Sequence, residues 1–420
     1  MIKRDVFDNG LCLLTESMPG VRSVSLGVWL SRGSRHEGNA AAGIAHFTEH
    51  MLFKGTTRRT AEDIAQQADS IGGQLNAFTA KECASYYIKV LDEHLPRAVD
   101  LVADLLRWPA FHDDDVGREK KVILEEIKMG EDIPDELVHE LFAENFWPKH
   151  PLGRSIAGSA ESVGSITSPS LRTFFERTYV ADNLVVAAAG NLEHAAVRDL
   201  IGQFFGDLPS RDESIDQAPP ITQPRLIVRT KNIEQSHLCL GTHGYSQTHE
   251  NRYPSYVLNT VLGSSMSSRL FQNIREKRGL AYAVSSSLES YRDVGALTIY
   301  AGCAAPEVSE VVDLVVAELR DLKARSIPME ELQRAKDISK ANLVFGLEST
   351  ASRMSQLARS ELYFGRQIDL AEDLARLDSV NADDVQRVAA DLFSKSDLAV
   401  TVLGPKCGPS LSVEQLDLGC

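Results

Sequence analysis

The stretch "AVDLVADLLR", residues 98–107, returns as "VVDLVVAELR" at 311–320, in phase at an offset of 213 residues. The surroundings of the two copies also recur. Before each lie two strand-like stretches that follow a Gly-rich turn: "GGQLNAFTAKECASYYIKV" in the first half and "GLAYAVSSSLESYRDVGALTIYAG" in the second. After each comes a long charged helix, "DDDVGREKKVILEEIKMG" and "MEELQRAKDISKANLVFG". The order strand, strand, helix, helix, strand, strand, then several helices occurs twice. A period this long marks a duplicated domain, not a solenoid. Strands and helices come in adjacent runs instead of strict alternation. That predicts an α+β fold of two homologous domains, each with helices packed on a mostly antiparallel β-sheet. The polar stretch "GDLPSRDESIDQAPPITQPR" (206–225) lies at the midpoint and holds four prolines. It predicts domains at 1–210 and 225–420, joined by a linker at 211–224.

Bulk properties bound the function. The chain has 420 residues, 43% hydrophobic and 25% charged, a globular composition long enough for two cores. No apolar run approaches the roughly 20 residues of a membrane span. The first residues, "MIKRDVFDNGLCLLTESMPG", show no apolar signal-peptide region, so the cytoplasm is the expected compartment. Six cysteines (12, 83, 239, 303, 407 and 420) are scattered without a CxxC pair, which suits a reducing compartment and argues against a cysteine zinc site. A net charge of −15 disfavours nucleic acid as a partner.

The chemistry concentrates in "AHFTEHMLF", residues 45–53. The segment 40–54 reads as a helix, with Asn39 suited to cap its start and Gly55 its end. On a helix His46 and His50 are one turn apart on one face, and Glu49 lies on the same side. The flanking Ile44, Phe47, Met51, Leu52 and Phe53 predict burial. Two histidines and a carboxylate inside a core are costly unless something pairs with them. A zinc ion satisfies all three: two neutral imidazoles as ligands, and a glutamate to work on water. A hydrogen-bonded His/Glu cluster in a core is the bland alternative.

Two imidazoles need a third protein ligand if one position is to stay open for water. The helix "DVGREKKVILEEIKMG" offers Glu119, Glu125 and Glu126. Glu126 falls within about 20° of Glu119, two turns on, with Val122 and Ile123 filling the stripe between them; Glu125 falls off it. Glu119 and Glu126 are therefore expected to face an apolar interior together, as a ligand and its supporting carboxylate would. A solvated Glu/Lys face is the ordinary alternative.

The inverted motif "HFTEH", followed 76 residues after its last histidine by Glu126 in "REKKVILEEI", resembles the pitrilysin-type inverzincin metallopeptidases. Within them the chain is most similar to the processing-peptidase branch, the mitochondrial processing peptidase β subunit and its bacterial relatives. "GVWLSRGSRHEGNAAAGIAHFTEHMLFKGT", "GGQLNAFTAKECASYY" and "SSRLFQNIREKRGLAY" extend the resemblance over nearly the whole chain. The resemblance implies a zinc metalloendopeptidase with one Zn²⁺ per chain, held by His46, His50 and Glu126. Glu49 would be the general base and Glu119 the carboxylate behind a ligand. An extended peptide would add as a strand at Asn76, Ala77 and Phe78. Arg275 and Tyr282, from "REKRGLAY", would reach substrate and the tetrahedral oxyanion from the second half of a closed chamber. Two-domain members pair two subunits, so the resemblance implies a homodimer, or a heterodimer with a related subunit, in a bacterial cytoplasm. The second half has Ala335 and Asn342 where Glu119 and Glu126 stand, and no HxxEH, so it should carry no metal. The rival reading is a non-catalytic scaffold subunit of a larger complex; such relatives typically lose the metal motif, which is complete here. The remaining histidines (36, 94, 112, 139, 150, 194, 237, 243 and 249) show no ligand spacing.

Overall fold

The computed structural model describes residues 1–211, 218–393, 398–405 and 411–419. Part of the expected linker, 212–217, and the cysteines at 407 and 420 lie outside the described residues. Cys12, Cys83, Cys239 and Cys303 are all buried and free.

The chain forms two compact units. The first carries a six-stranded sheet in the order β1-β2-β6-β3-β5-β4, built from β1 (Ile2–Val6), β2 (Cys12–Ser17), β3 (Ser23–Leu30), β4 (Gln74–Thr79), β5 (Ala84–Leu91) and β6 (Leu184–Gly190). Only the β2–β6 pair is parallel. The second carries a five-stranded sheet in the order β7-β11-β8-β10-β9, from β7 (Leu226–Thr230), β8 (Ser236–Gly244), β9 (Ala281–Ser290), β10 (Gly295–Cys303) and β11 (Ala399–Gly404). Only β7–β11 is parallel there. Removing β1 makes the two orders identical, so the duplication read from the helix repeat extends to strand order and strand direction.

Each half returns one strand to its sheet after the helices: β6 between β2 and β3, and β11 between β7 and β8. The expected element order ended in helices and missed both strands. "LVVAAAG" and "AVTVLG" are buried along their whole length, so they show no alternation to read.

One face of the first sheet packs on α1 (Ile44–Leu52), α2 (Ala61–Ser70) and α3 (Leu95–Arg107), through Phe47, Met51, Leu101, Leu105 and Ile88, all buried. Two further helices matter below: α4 (Asp113–Asp132) and α5 (Pro134–Phe146). The units do not follow the expected division at 210 and 225. The first unit comprises 1–128, 154–217 and 346–367; the second comprises 129–153, 218–345 and 368–420. The helix Thr350–Phe364, from the second half of the sequence, covers the other face of the first sheet. Ser25 bonds Thr350 at 2.9 Å, Trp29 Nε1 donates to Met354 Sδ at 3.2 Å, and Arg353 Nε donates to Glu16 Oε2 at 2.7 Å. Conversely α5, from the first half, packs Val138, Phe142 and Phe146 with Cys239, Ala296 and Leu403 of the second sheet.

A glycine in the centre of each sheet makes room for the exchanged helix. A Cβ on Gly27 would come within 2.6 Å of Met354 Sδ, and one on Gly241 within 2.5 Å of Phe142 Cζ. Among the described residues no helix is long and apolar enough to cross a membrane.

Candidate metal centre

The helix around the two histidines is shorter than expected. It begins at Ile44, not at 40, after a single 3₁₀ turn at Asn39–Ala41, and Asn39 is not its cap. Gly43 breaks the run with φ +90°, a left-handed conformation in which a Cβ would also meet Ala157 O at 2.5 Å. In place of an Asn cap, the buried Glu37 carboxylate accepts from the Gly43 N–H and the Ala45 N–H, both at 2.8 Å. A carboxylate at that end also complements the helix dipole. Arg154 holds Glu37 in turn, donating to its carbonyl and to Asn39 Oδ1, both at 2.9 Å. The other end is as expected in kind: Phe53 caps the helix and Gly55 leaves it with φ +132°.

Phe47, Met51 and Leu52 go fully into the core and Ile44 is 4% exposed, while Phe53 is only half-buried. This fixes the roll of α1, and His46 and His50 come out on the face toward α4. Their Nε2 atoms stand 3.2 Å apart. Glu126 brings Oε1 to 3.6 Å from His46 Nε2 and Oε2 to 3.6 Å from His50 Nε2. One ligand atom from each of the three lies within 4.8 Å of the others; among the described residues this is the single such group of three or more His, Cys, Asp or Glu.

The carboxylates of α4 do not share one environment, as was expected of them. Glu119 is 4% exposed, but the Glu126 side chain is 48% exposed. Ile123 is fully buried between them, whereas Val122 is half exposed. The stripe therefore runs from core to surface along the helix, so that Glu126 reaches an open face. Glu125 points away and pairs with Lys128 at 2.6 Å.

Glu119 accepts from His50 Nδ1 at 2.8 Å and from Lys54 Nζ at 2.8 Å. Burial pushes its carboxyl up, but the hydrogen bonds and charges of His50 and Lys54 outweigh that and hold it below the usual carboxylate range. The Glu119 bond keeps the His50 proton on Nδ1 and leaves the Nε2 lone pair facing His46. Burial, with His50 adding to it, lowers His46 to about 4, so this ring is neutral at pH 7. Its Nδ1 is buried without a partner.

Two ring nitrogens at 3.2 Å with a carboxylate across both form a donor set that a divalent cation satisfies. Two imidazoles and one carboxylate with an open side match a catalytic zinc site in ligand type and number. Glu49 is outside that set. Its Oε2 accepts from Thr79 Oγ1 of β4 at 2.5 Å, and burial raises its carboxyl above the ordinary value against the opposing effect of that bond. Thr79, Lys54, Glu37 and Arg154 were not picked out from the sequence. None has a spacing relative to the motif that would reveal it.

Asn76, Ala77 and Phe78 lie on β4, the edge strand of the first sheet next to the α1 side of the site. Phe78 stacks edge-on against Trp29 at 5.4 Å. Arg275 and Tyr282 belong to the second unit, where the guanidinium sits 5.0 Å from the tyrosine ring centroid and the ring is 79% exposed.

Residues 12–160, which include every residue of this centre, match the family model described as insulinase, peptidase family M16. Residues 165–339 match the model described as peptidase M16 inactive domain. The chain is 42% identical over 405 residues to a protein of Bacillus subtilis named as an uncharacterized zinc protease, covering 96% of this chain and 98% of that one. It is 39% identical to a zinc protease so named from Streptomyces coelicolor, covering 96% and 90%. The fold agrees with the crystal structure of a protease from Helicobacter pylori at a TM-score of 0.90 and 22% identity, covering 96% of this chain and all of that one. On the strength of full-length identity to relatives named as zinc proteases, this chain belongs to peptidase family M16.

Proposed function

We propose that the protein is a zinc metalloendopeptidase that cuts extended peptides or unfolded segments. The observation that carries this reading is the pair of facing Nε2 atoms with Glu126 across both, and the half-buried Glu49 beside them, held by Thr79 and outside that group. His46, His50 and Glu126 would hold one zinc ion. Bound there, the ion supplies a Lewis acid that polarises the scissile carbonyl and brings the pKa of a coordinated water toward about 7. Glu49 takes the proton of the attacking water and passes it to the leaving amine. Its raised affinity for protons suits it to both steps. Glu119 orients His50, and Lys54 neutralises Glu119. The open edge of β4 takes the peptide as an added strand, with main-chain bonds that do not demand one sequence. Arg275 and Tyr282 would donate to the oxyanion from the second half of a chamber completed by a homodimer, within a bacterial cytoplasm.

Zinc per chain, measured together with cleavage of a quenched peptide before and after chelation, tests this reading. One zinc with chelator-sensitive cleavage supports it. Zinc without cleavage favours another zinc enzyme, and neither favours a scaffold.

The two neighbouring glutamates of α4 give a sharper expectation. Glu126→Gln should lose zinc on dialysis, while Glu125→Gln, which breaks only an exposed pair with Lys128, should keep it. Equal loss in both variants would remove Glu126 from the ligand set. Glu119→Gln should weaken zinc binding by about 10- to 100-fold without abolishing it, as loss of a carboxylate behind a ligand histidine does. Competition against a calibrated chelator reads this directly.

A further inference from the structure

We propose that Thr79 is the positioning residue through which strand addition at β4 orients Glu49. The proposal rests on the reading above and adds to it a link between peptide binding and the base.

Thr79 is the last residue of the edge strand, paired across to Ala84 of β5. Its side chain and its backbone face different groups. The hydroxyl donates to Glu49 Oε2 at 2.5 Å. The backbone direction follows from the ladder. Ala80 N donates to Cys83 O at 2.8 Å, so residue 80 bonds inward. In an antiparallel pair the bonding direction alternates along the strand. Residues 78, 76 and 74 therefore bond toward β5, and the N–H and C=O groups of 79, 77 and 75 point to the open edge. Ala77 has its N–H engaged by Asn76 Oδ1 at 2.8 Å. Thr79 is thus a residue whose backbone meets an added peptide strand and whose side chain holds the base.

The turn after Thr79 is tied down independently. Ser34 N donates to Ala80 O at 3.1 Å and Arg35 N to Lys81 O at 2.7 Å. Arg35 and Glu82 form a buried ion pair at 2.7 Å, and Lys81 Nζ donates to Arg154 O. Arg154 holds Glu37, the cap of α1. The strand end and the metal helix thus form one braced frame, and the side of β4 left without a bonded neighbour is its outer edge. A peptide on that edge supplies the missing neighbour, narrows the freedom of Thr79 and with it that of the Glu49 carboxylate. Longer peptides, which pair with more of β4, should be turned over faster and not only bound more tightly.

The test uses the zinc-loaded protein and peptides of four, eight and twelve residues around one scissile bond. The wild type should show kcat rising with length. Thr79→Val keeps the shape and removes the donor; it should keep its zinc, lower kcat on the longest peptide by about 10- to 100-fold, and flatten the length dependence. Thr79→Ser keeps the donor and should restore both. Peptide affinity for the zinc-free protein, read by fluorescence anisotropy, should be the same in wild type and Thr79→Val, because the backbone groups remain. A Thr79→Val enzyme with wild-type kcat, or one that is slower but keeps the length dependence, overturns the coupling while leaving the peptidase reading intact. A Thr79→Ser enzyme as slow as Thr79→Val overturns the hydroxyl's role. A wild type that neither holds zinc nor cuts overturns both readings together.

Discussion

Glu49→Gln is expected to retain one zinc per chain and to lose turnover by about 10²–10⁴-fold or more, the range for losing a general base. Glu49 neighbours the ligand His50 in sequence, yet its carboxylate is turned to Thr79 on β4 and lies outside the group formed by His46, His50 and Glu126. The substitution is nearly isosteric, and the amide can still meet the Thr79 hydroxyl through its oxygen. The fold and the metal should therefore survive while the proton acceptor is gone. Metal analysis and single-turnover cleavage separate the possible results. An active variant would mean that another group takes the proton. A variant without metal would make Glu49 a ligand.

Tyr282→Phe is expected to keep zinc and lose activity by about 10²–10³-fold, the scale of removing one donor to an oxyanion. The phenol is 79% exposed and stacked against Arg275, which gives a charged donor and a neutral one side by side on the second unit. Packing does not explain so exposed a ring. The proposed homodimer makes the effect testable in trans. Mixing Tyr282→Phe with Glu49→Gln should recover roughly a quarter of wild-type activity at equal ratio, because half the symmetric dimers are mixed and each mixed dimer has one complete site. No recovery, with subunit exchange verified by differently tagged chains, would mean that the pair acts within its own chain or serves structure alone.

What the sequence could show follows from periodicity. The helix repeat and the runs of strands and helices point to the duplicated α+β fold, and the one-turn spacing of His46 and His50 points to a shared face; the phase of Glu119 and Glu126 names the pair, while the choice of Glu126 as the third residue of the group comes from the family resemblance. The misses have other causes. Strands β6 and β11 are buried throughout and lack alternation. The exchange of α5 and the helix Thr350–Phe364 depends on Gly27 and Gly241, whose missing side chains make room at residues far apart in sequence. The start of α1 was misplaced because Gly43 and the Glu37 carboxylate override an ordinary Asn cap. Thr79 lies 30 residues from Glu49, and its role appears only once the sheet sets β4 beside α1.

The most direct test of the account is a mass spectrum of products formed from an extended peptide by the zinc-loaded protein in ¹⁸O-water. The account predicts internal cleavage, with a single ¹⁸O in each newly formed carboxylate, and no cleavage after zinc removal or in Glu49→Gln. An intact peptide in the presence of zinc-loaded protein, or cleavage that persists without the metal, would contradict it.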